Sequence, residues 1–324
     1  MALRDTHVTL AHGGGGKAMR DLIEEVFTSS FEPESMEDQA RLTSEALQEP
    51  GARLGFTTDS FVVTPVEFPG GDIGKLAICG TVNDLAVGGA QPLWLSAGFI
   101  IEEGCEIALL KRIVETMKAE AEKAGVKIVT GDTKVVARGA ADKVFINTSG
   151  IGVIPSGRDL AATRIQPGDV AIVNGVLGDH GATILAARGD MALSTDLETD
   201  CQALNEVMEA TIAAAPGLRA ARDATRGGLA SALNEMAEAA DVGIEIDETD
   251  LPLRDEVKGM CEILGLDPLY LANEGAMRAT EAGRDAVIIG KATEGQPGRV
   301  TMRTLFGGTR IVDMLVGEQL PRIC

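Results

Sequence analysis

The sequence predicts a two-domain chain of the α/β (α+β) class. Segments with strand periodicity and segments with helical periodicity alternate along it, the pattern of sheets covered by helices. A polar, turn-rich stretch at 155–168 interrupts the alternation near the middle. The 324 residues are 45% hydrophobic and 24% charged, enough apolar material for two cores. The expected division is a first domain over 1–155, a second over 156–316, and a flexible tail over 317–324.

The first element is a helix over 17–27, where Met19, Leu22, Ile23, Val26 and Phe27 share one face. A polar, acidic loop follows at 32–49. A strand is expected at 56–63 and is ended by Pro65 and by Pro69, Gly70 and Gly71. A helix over 74–87 runs into Gly88 and Gly89, and 93–101 is a buried strand. Residues 106–124 form a long amphipathic helix with Ile107, Leu110, Val114, Met117 and Ala121 inward. A strand at 126–130 is cut by a turn of Gly131, Asp132, Thr133 and Lys134, and another strand spans 144–153. The second half carries strands at 169–173, 243–246, 286–289 and 310–316. Its helices fall at 182–187, 201–215, 228–239 and 256–264.

Aspartate and glutamate outnumber lysine and arginine by 49 to 29, for a formal charge of −20. That excludes nucleic acid as the main partner, because phosphate backbones need cations. It argues equally against an anionic membrane surface. Aromatic residues are 3% of the chain, with one Trp and one Tyr, too few for a base-stacking platform. The most apolar segment, 93–101, falls far short of the roughly 20 residues that span a bilayer. Arg4, Asp5 and His7 break any apolar run of the kind a secretory signal needs. Cys79, Cys105, Cys201, Cys261 and Cys324 are widely spaced with no CxxC pair, which suits reduced thiols in a cytoplasmic protein.

Several residues can carry chemistry. Gly13, Gly14, Gly15 and Gly16 lie directly before a helix start, where bare backbone N–H groups can approach a phosphate. Ala18 follows Lys17 where a Walker A loop needs Ser or Thr, so the run is either a phosphate cradle of another kind or merely a turn. Asp59, Asp84 and Asp132 offer hard oxygen ligands of the sort Mg²⁺ takes, against the plainer reading of solvation or helix capping. Lys134 beside Asp132 can balance phosphate charge or move a proton; otherwise it is a surface lysine. Glu274, between Asn273 and Gly275, is either a partly buried base or a capping residue. The chain ends on a thiol, Cys324. Arg322 favours its thiolate while its own α-carboxylate disfavours it. An extended tail of eight residues reaches about 25 Å, enough to carry a group between sites.

Taken together, these motifs resemble the HypE family of hydrogenase maturation factors, the carbamoyl dehydratases. The resemblance covers the whole chain. It rests on His12 through Lys17, Thr57-Thr58-Asp59-Ser60-Phe61, the run from Gly80 to Ala90 around Asn83 and Asp84, and Gly131 through Val136. It also rests on the run from Arg222 to Leu229, on Asn273-Glu274-Gly275, and on the terminal Pro321-Arg322-Ile323-Cys324, which is the discriminating motif. The Asn-Asp-Leu and Gly-Asp-Thr segments look like the wider superfamily of aminoimidazole ribonucleotide synthetase, selenophosphate synthetase and thiamine-monophosphate kinase. An all-glycine loop stands where many relatives are expected to carry an alanine.

The resemblance implies a PurM-like fold whose N-terminal domain pairs strands across a homodimer, with an α/β C-terminal domain. It implies ATP and Mg²⁺ as cofactors, with Gly13, Gly14, Gly15, Gly16, Asn83, Asp84, Gly131 and Asp132 around the nucleotide. Asp59, Asp84 and Asp132 would then be metal ligands. It implies that a HypF carbamoyltransferase loads Cys324, that ATP activates the carbamoyl oxygen, and that loss of phosphate leaves a thiocyanate. Lys134 and Glu274 are the residues implied for proton removal. The cyanide would pass to iron held by a HypC–HypD complex, for the nickel–iron hydrogenase centre. Two other readings keep part of this picture: a small-molecule synthetase or kinase of the same superfamily, and a non-catalytic carrier. A selenophosphate synthetase would carry a reactive Cys or selenocysteine near its start, whereas the first cysteine here is Cys79. A carrier would need no nucleotide site.

Overall fold

The structure is a computed structural model and describes residues 5–33, 39–189, 195–275 and 286–314. In chain order the first half contains α1 (Lys17–Leu22), α2 (Ser29–Phe31), β1 (Arg53–Phe61), β2 (Glu67–Phe68), β3 (Gly71–Asp72), α3 (Ile73–Val87), β4 (Gln91–Glu102), α4 (Ile107–Ala124), β5 (Lys127–Val136) and β6 (Val144–Ile154). Its main sheet has the order β1-β6-β4-β5, with β4 and β5 parallel and the other neighbours antiparallel.

One face of this sheet is covered by α3 and α4. On β1 the alternation is clean. Gly55, Thr57, Asp59 and Phe61 turn toward the helices, while Leu54, Phe56, Thr58 and Ser60 turn away. Helix α3 is apolar on nearly every side and is buried along almost its whole length. It lies flush on the sheet because glycines remove the side chains between them. A Cβ at Gly80 would stand 2.9 Å from the Phe61 ring, and one at Gly150 would stand 2.8 Å from Thr81. Among the described residues no helix covers the opposite face. Leu54 and Phe56 are 62% and 70% exposed there, and Ile100 is 43% exposed.

The second half contains β7 (Val170–Val173), α5 (Asp179–Ala187), α6 (Asn205–Ala214), α7 (Gly228–Ala240), β8 (Gly243–Asp247), α8 (Asp255–Leu264), β9 (Val287–Thr293), β10 (Val300–Arg303) and β11 (Thr309–Val312). Its sheet runs β11-β10-β8-β9-β7, with β8 and β10 parallel and the remaining pairs antiparallel. Leu229 and Leu233 of α7 close its core against Ile244, Ile246, Ile289, Val300 and Met302.

Three expectations are corrected. Residues 131–134 are not a turn, because β5 continues through them to Val136, paired throughout with β4. Gly131 is required by close approach: a Cβ there would sit 2.4 Å from the Ala97 carbonyl oxygen. The helix starting at Lys17 passes into π-type hydrogen bonding over Ile23–Thr28 before α2, and ends at Glu32 with φ +45°. The helix expected from 201 begins only at Asn205, so residues 195–204 form an irregular strap instead. Strand β10, at Val300–Arg303, is an addition to the strands expected from the sequence.

Candidate functional site

The acidic residues converge where β1, α3 and the second half meet. Thr57 and Asp59 lie on the helix-facing side of β1. The Thr57 hydroxyl donates to the Asp84 carboxylate of α3 at 2.8 Å. The Asp59 carboxylate accepts from the Ser60 N–H at 2.8 Å and stands 3.7 Å from Arg226, in the loop before α7. Burial raises the Asp84 pKa, and the nearby Asp59 charge raises it further. Asp223, in the same loop as Arg226, is pushed up to about 6 by burial and then by the charges of Asp84 and Asp59. Sequence reasoning gave Asp223 no role, because only the fold carries it to Asp59 and Asp84. Among the described residues no three such groups already close on one point. The donor set nevertheless fits a hard cation. Mutually repelling carboxylates gain from a divalent charge, which leaves its other coordination positions to phosphate oxygens and water.

Glu274 lies beside this cluster and is fully buried rather than half-buried. Its Oε1 has no hydrogen-bond partner. Desolvation raises its pKa well above the ordinary carboxyl value, with Asp200, Asp223 and Asp59 adding to the effect. Its backbone is held from several directions. The Asn273 side chain donates to the Ala224 and Leu271 carbonyls and accepts from the Gly178 N–H at 2.6 Å. Gly275 has no room for a side chain, since a Cβ would fall 1.9 Å from the Asp200 carbonyl oxygen.

Asn83 joins the two halves. Its Nδ2 donates to the Gln202 and Glu274 carbonyls at 3.1 and 3.3 Å, and its Oδ1 accepts from the Leu204 N–H at 2.8 Å. Both amide hydrogens are spent inside the protein. Its side chain thus ties the Glu274 loop and the 195–204 strap to α3.

Asp132 and Lys134 lie elsewhere. They form an ion pair at 3.0 Å, each side chain 67% exposed. Asp132 pairs with Gly98 on β4 and Lys134 with Ile100, so both project from the sheet face opposite α3 and α4. Asp59 and Asp84 occupy the other face, and β1 and β5 are opposite edges of the sheet. Three strand spacings amount to about 14 Å. A single chain thus does not bring Asp132 to the same ion as Asp59 and Asp84. The glycine run belongs with Lys134: Gly13 packs on Val135, where a Cβ would lie 2.8 Å from Val135 Cβ. Gly15 has φ +73°, and a Cβ at Gly15 or Gly16 would meet open space, so the loop offers bare backbone to solvent. Cys324 and Arg322 lie outside the described residues.

Two family models match the chain. The N-terminal domain of AIR synthase related proteins matches residues 37–154, and the C-terminal domain of the same proteins matches 166–303. The chain belongs to the AIR synthase related family, on its carbamoyl dehydratase HypE branch, and has the PurM-like two-domain fold. The carbamoyl dehydratase HypE of Rhodobacter capsulatus is 72% identical over 340 aligned positions, covering all of both chains. A crystal structure of a hydrogenase maturation protein HypE in complex with ATP superposes with a TM-score of 0.90 at 42% identity, covering 98% of this chain and 99% of that one. A HypE–HypF complex contains a chain matching with a TM-score of 0.77 at 44% identity, over 91% of this chain and 99% of that one. No helix among the described residues is long and apolar enough to cross a membrane.

Proposed function

We propose that this chain is a cytoplasmic, ATP-dependent carbamoyl dehydratase acting on its own Cys324 and supplying the cyanide ligand of a nickel–iron hydrogenase centre. The observation that carries the reading is the unpaired carboxyl of Glu274, buried beside Asp59, Asp84 and Asp223 where the two domains touch. A HypF partner adds a carbamoyl group to the terminal thiol, giving S–C(=O)–NH₂. The carbamoyl oxygen attacks the γ-phosphorus of ATP, the bond to ADP breaks, and one N–H proton leaves, giving a phosphorylated S–C=NH group. Loss of the second proton expels phosphate and leaves S–C≡N, which a HypC–HypD complex receives.

The residues suit that sequence. Phosphoryl transfer needs positioning and charge neutralisation more than covalent help. Asp59, Asp84 and Asp223 are the carboxylates that would hold Mg²⁺, whose charge offsets that of the phosphates. The 13–16 loop offers backbone N–H groups to a phosphate. Glu274 has a proton affinity raised by burial, which fits an acceptor for a carbamoyl proton. A site closed from water protects the activated intermediate.

The separation of Asp132 and Lys134 from Asp59 supports a homodimer rather than contradicting the assignment. Covering the exposed face of Leu54, Phe56 and Ile100 with a second copy buries apolar surface. Each site would then draw Asp59, Asp84 and Glu274 from one chain and Asp132, Lys134 and the glycine loop from the other. The test of the whole reading is the intact mass of the protein after incubation with HypF, carbamoyl phosphate and ATP. A carbamoyl adduct that then loses one water supports it, and an adduct that never loses water refutes it.

A further inference from the structure

We infer that Asp200 is a positioning residue for the water-losing step, holding the Glu274–Gly275 backbone so that the Glu274 carboxyl keeps its place beside the acid cluster. The inference rests on the proposed dehydratase reading and deepens it.

The carboxylate of Asp200 is spread across two consecutive amides. Its Oδ1 accepts from the Glu274 N–H at 3.1 Å and its Oδ2 from the Gly275 N–H at 3.1 Å. Two amides on one carboxylate fix the direction of the peptide between them, and charge-assisted bonds of this kind are about twice as strong as neutral ones. The contact is also steric. The Asp200 carbonyl oxygen occupies the space where a Gly275 side chain would begin. Two residues on, Gln202 Nε2 donates to the Gly275 carbonyl at 3.0 Å, and Asn83 ties the Gln202 and Glu274 carbonyls together. Strap and catalytic loop thus run side by side, joined at both backbone polarities.

At the side-chain end, the Glu274 Oε1 has no hydrogen-bond partner. At the backbone end, Asp200 makes the paired contact to both amides. On its other side Asp200 lines a cavity of about 1140 Å³, together with Lys75, Cys201, Gln202 and Gly275. Asn83 and Gln202 hold the carbonyls of the same two residues, whereas the Asp200 carboxylate takes both of their amides.

The test is single-turnover water loss from protein carbamoylated at Cys324 by HypF and carbamoyl phosphate, followed by intact mass. Asp200→Asn keeps the shape but can accept from only one amide. It is expected to bind ATP within twofold of wild type by calorimetry, to accept the carbamoyl group normally, and to lose water at least tenfold more slowly. Gln202→Ala, which leaves the carboxylate in place, is expected to show a smaller loss. If Asp200→Asn does not fold, Asp200→Ser, with one hydroxyl acceptor, carries the same expectation. A water-loss rate within twofold of wild type overturns the inference, as does an equal fall in ATP affinity, which would mark Asp200 as a general structural residue. If wild type itself never loses water, the dehydratase reading has failed instead.

Discussion

The hydroxyl of Thr57 on β1 donates to the carboxylate of Asp84 on α3 at 2.8 Å, across the contact between sheet and helix. That bond favours the ionised form of a carboxyl that burial pushes toward neutrality. Thr57→Val keeps the shape and removes the donor. It is expected to weaken Mg²⁺-dependent ATP binding severalfold, and Asp84→Asn to weaken it by at least about tenfold, with melting temperature little changed. Bonds to charged groups are worth roughly 1.5–3 kcal/mol, which sets that scale. Calorimetry with and without Mg²⁺ measures both; unchanged affinity in Asp84→Asn removes the residue from the site.

Asp132 and Lys134 share a sheet face that Asp59 and Asp84 do not. If sites form between two copies, Asp84→Asn chains and Lys134→Ala chains are each inactive alone. Mixed, they assemble one intact site per heterodimer and recover a fraction of wild-type dehydration. Sedimentation should show a species of twice the chain mass. No recovery from a mixture verified to exchange subunits would refute the shared site.

Asp223 has a folded-state pKa of about 6, above its ordinary value of 3.8. An acid raised in this way binds more protons folded than unfolded between those values. Its contribution to stability is therefore fullest below pH 4 and is lost as pH rises toward 6. Asp223→Asn removes the cost of burying the charge. In metal-free protein it should melt a few degrees higher than wild type at pH 7.5, with the gap closing near pH 4. Melting curves at both pH values decide the matter, and a gap independent of pH excludes this cause.

Cys324→Ala should acquire no carbamoyl group from HypF yet still bind ATP, while substitution of Cys79, Cys105, Cys201 or Cys261 should leave the adduct intact. Lys134→Ala and Glu274→Ala should accept the group and fail to lose water. The C-terminal peptide mass separates these outcomes. An adduct on Cys324→Ala would show that another residue is the attachment point.

Much of this was readable from the chain. The helices over 74–87 and 106–124 declare themselves by their apolar pattern and are observed as α3 and α4. Asp59, Asp84 and Glu274 stand out because glycines and short polar residues frame them. What stayed hidden depends on residues far apart in the chain. Asp200 meets the Glu274 amide across 74 positions, and no local pattern marks that encounter. Gly131 misled for a related reason: a glycine that makes room for the neighbouring strand looks, in sequence, like one that turns the chain. The face on which Asp132 and Lys134 lie depended in turn on that strand being continuous.

Asn83 spends its whole amide on the second half of the chain, from a helix buried in the first. Opening that seam would break all three of these bonds together, so the Glu274 loop and the 195–204 strap are tied to α3 through one side chain.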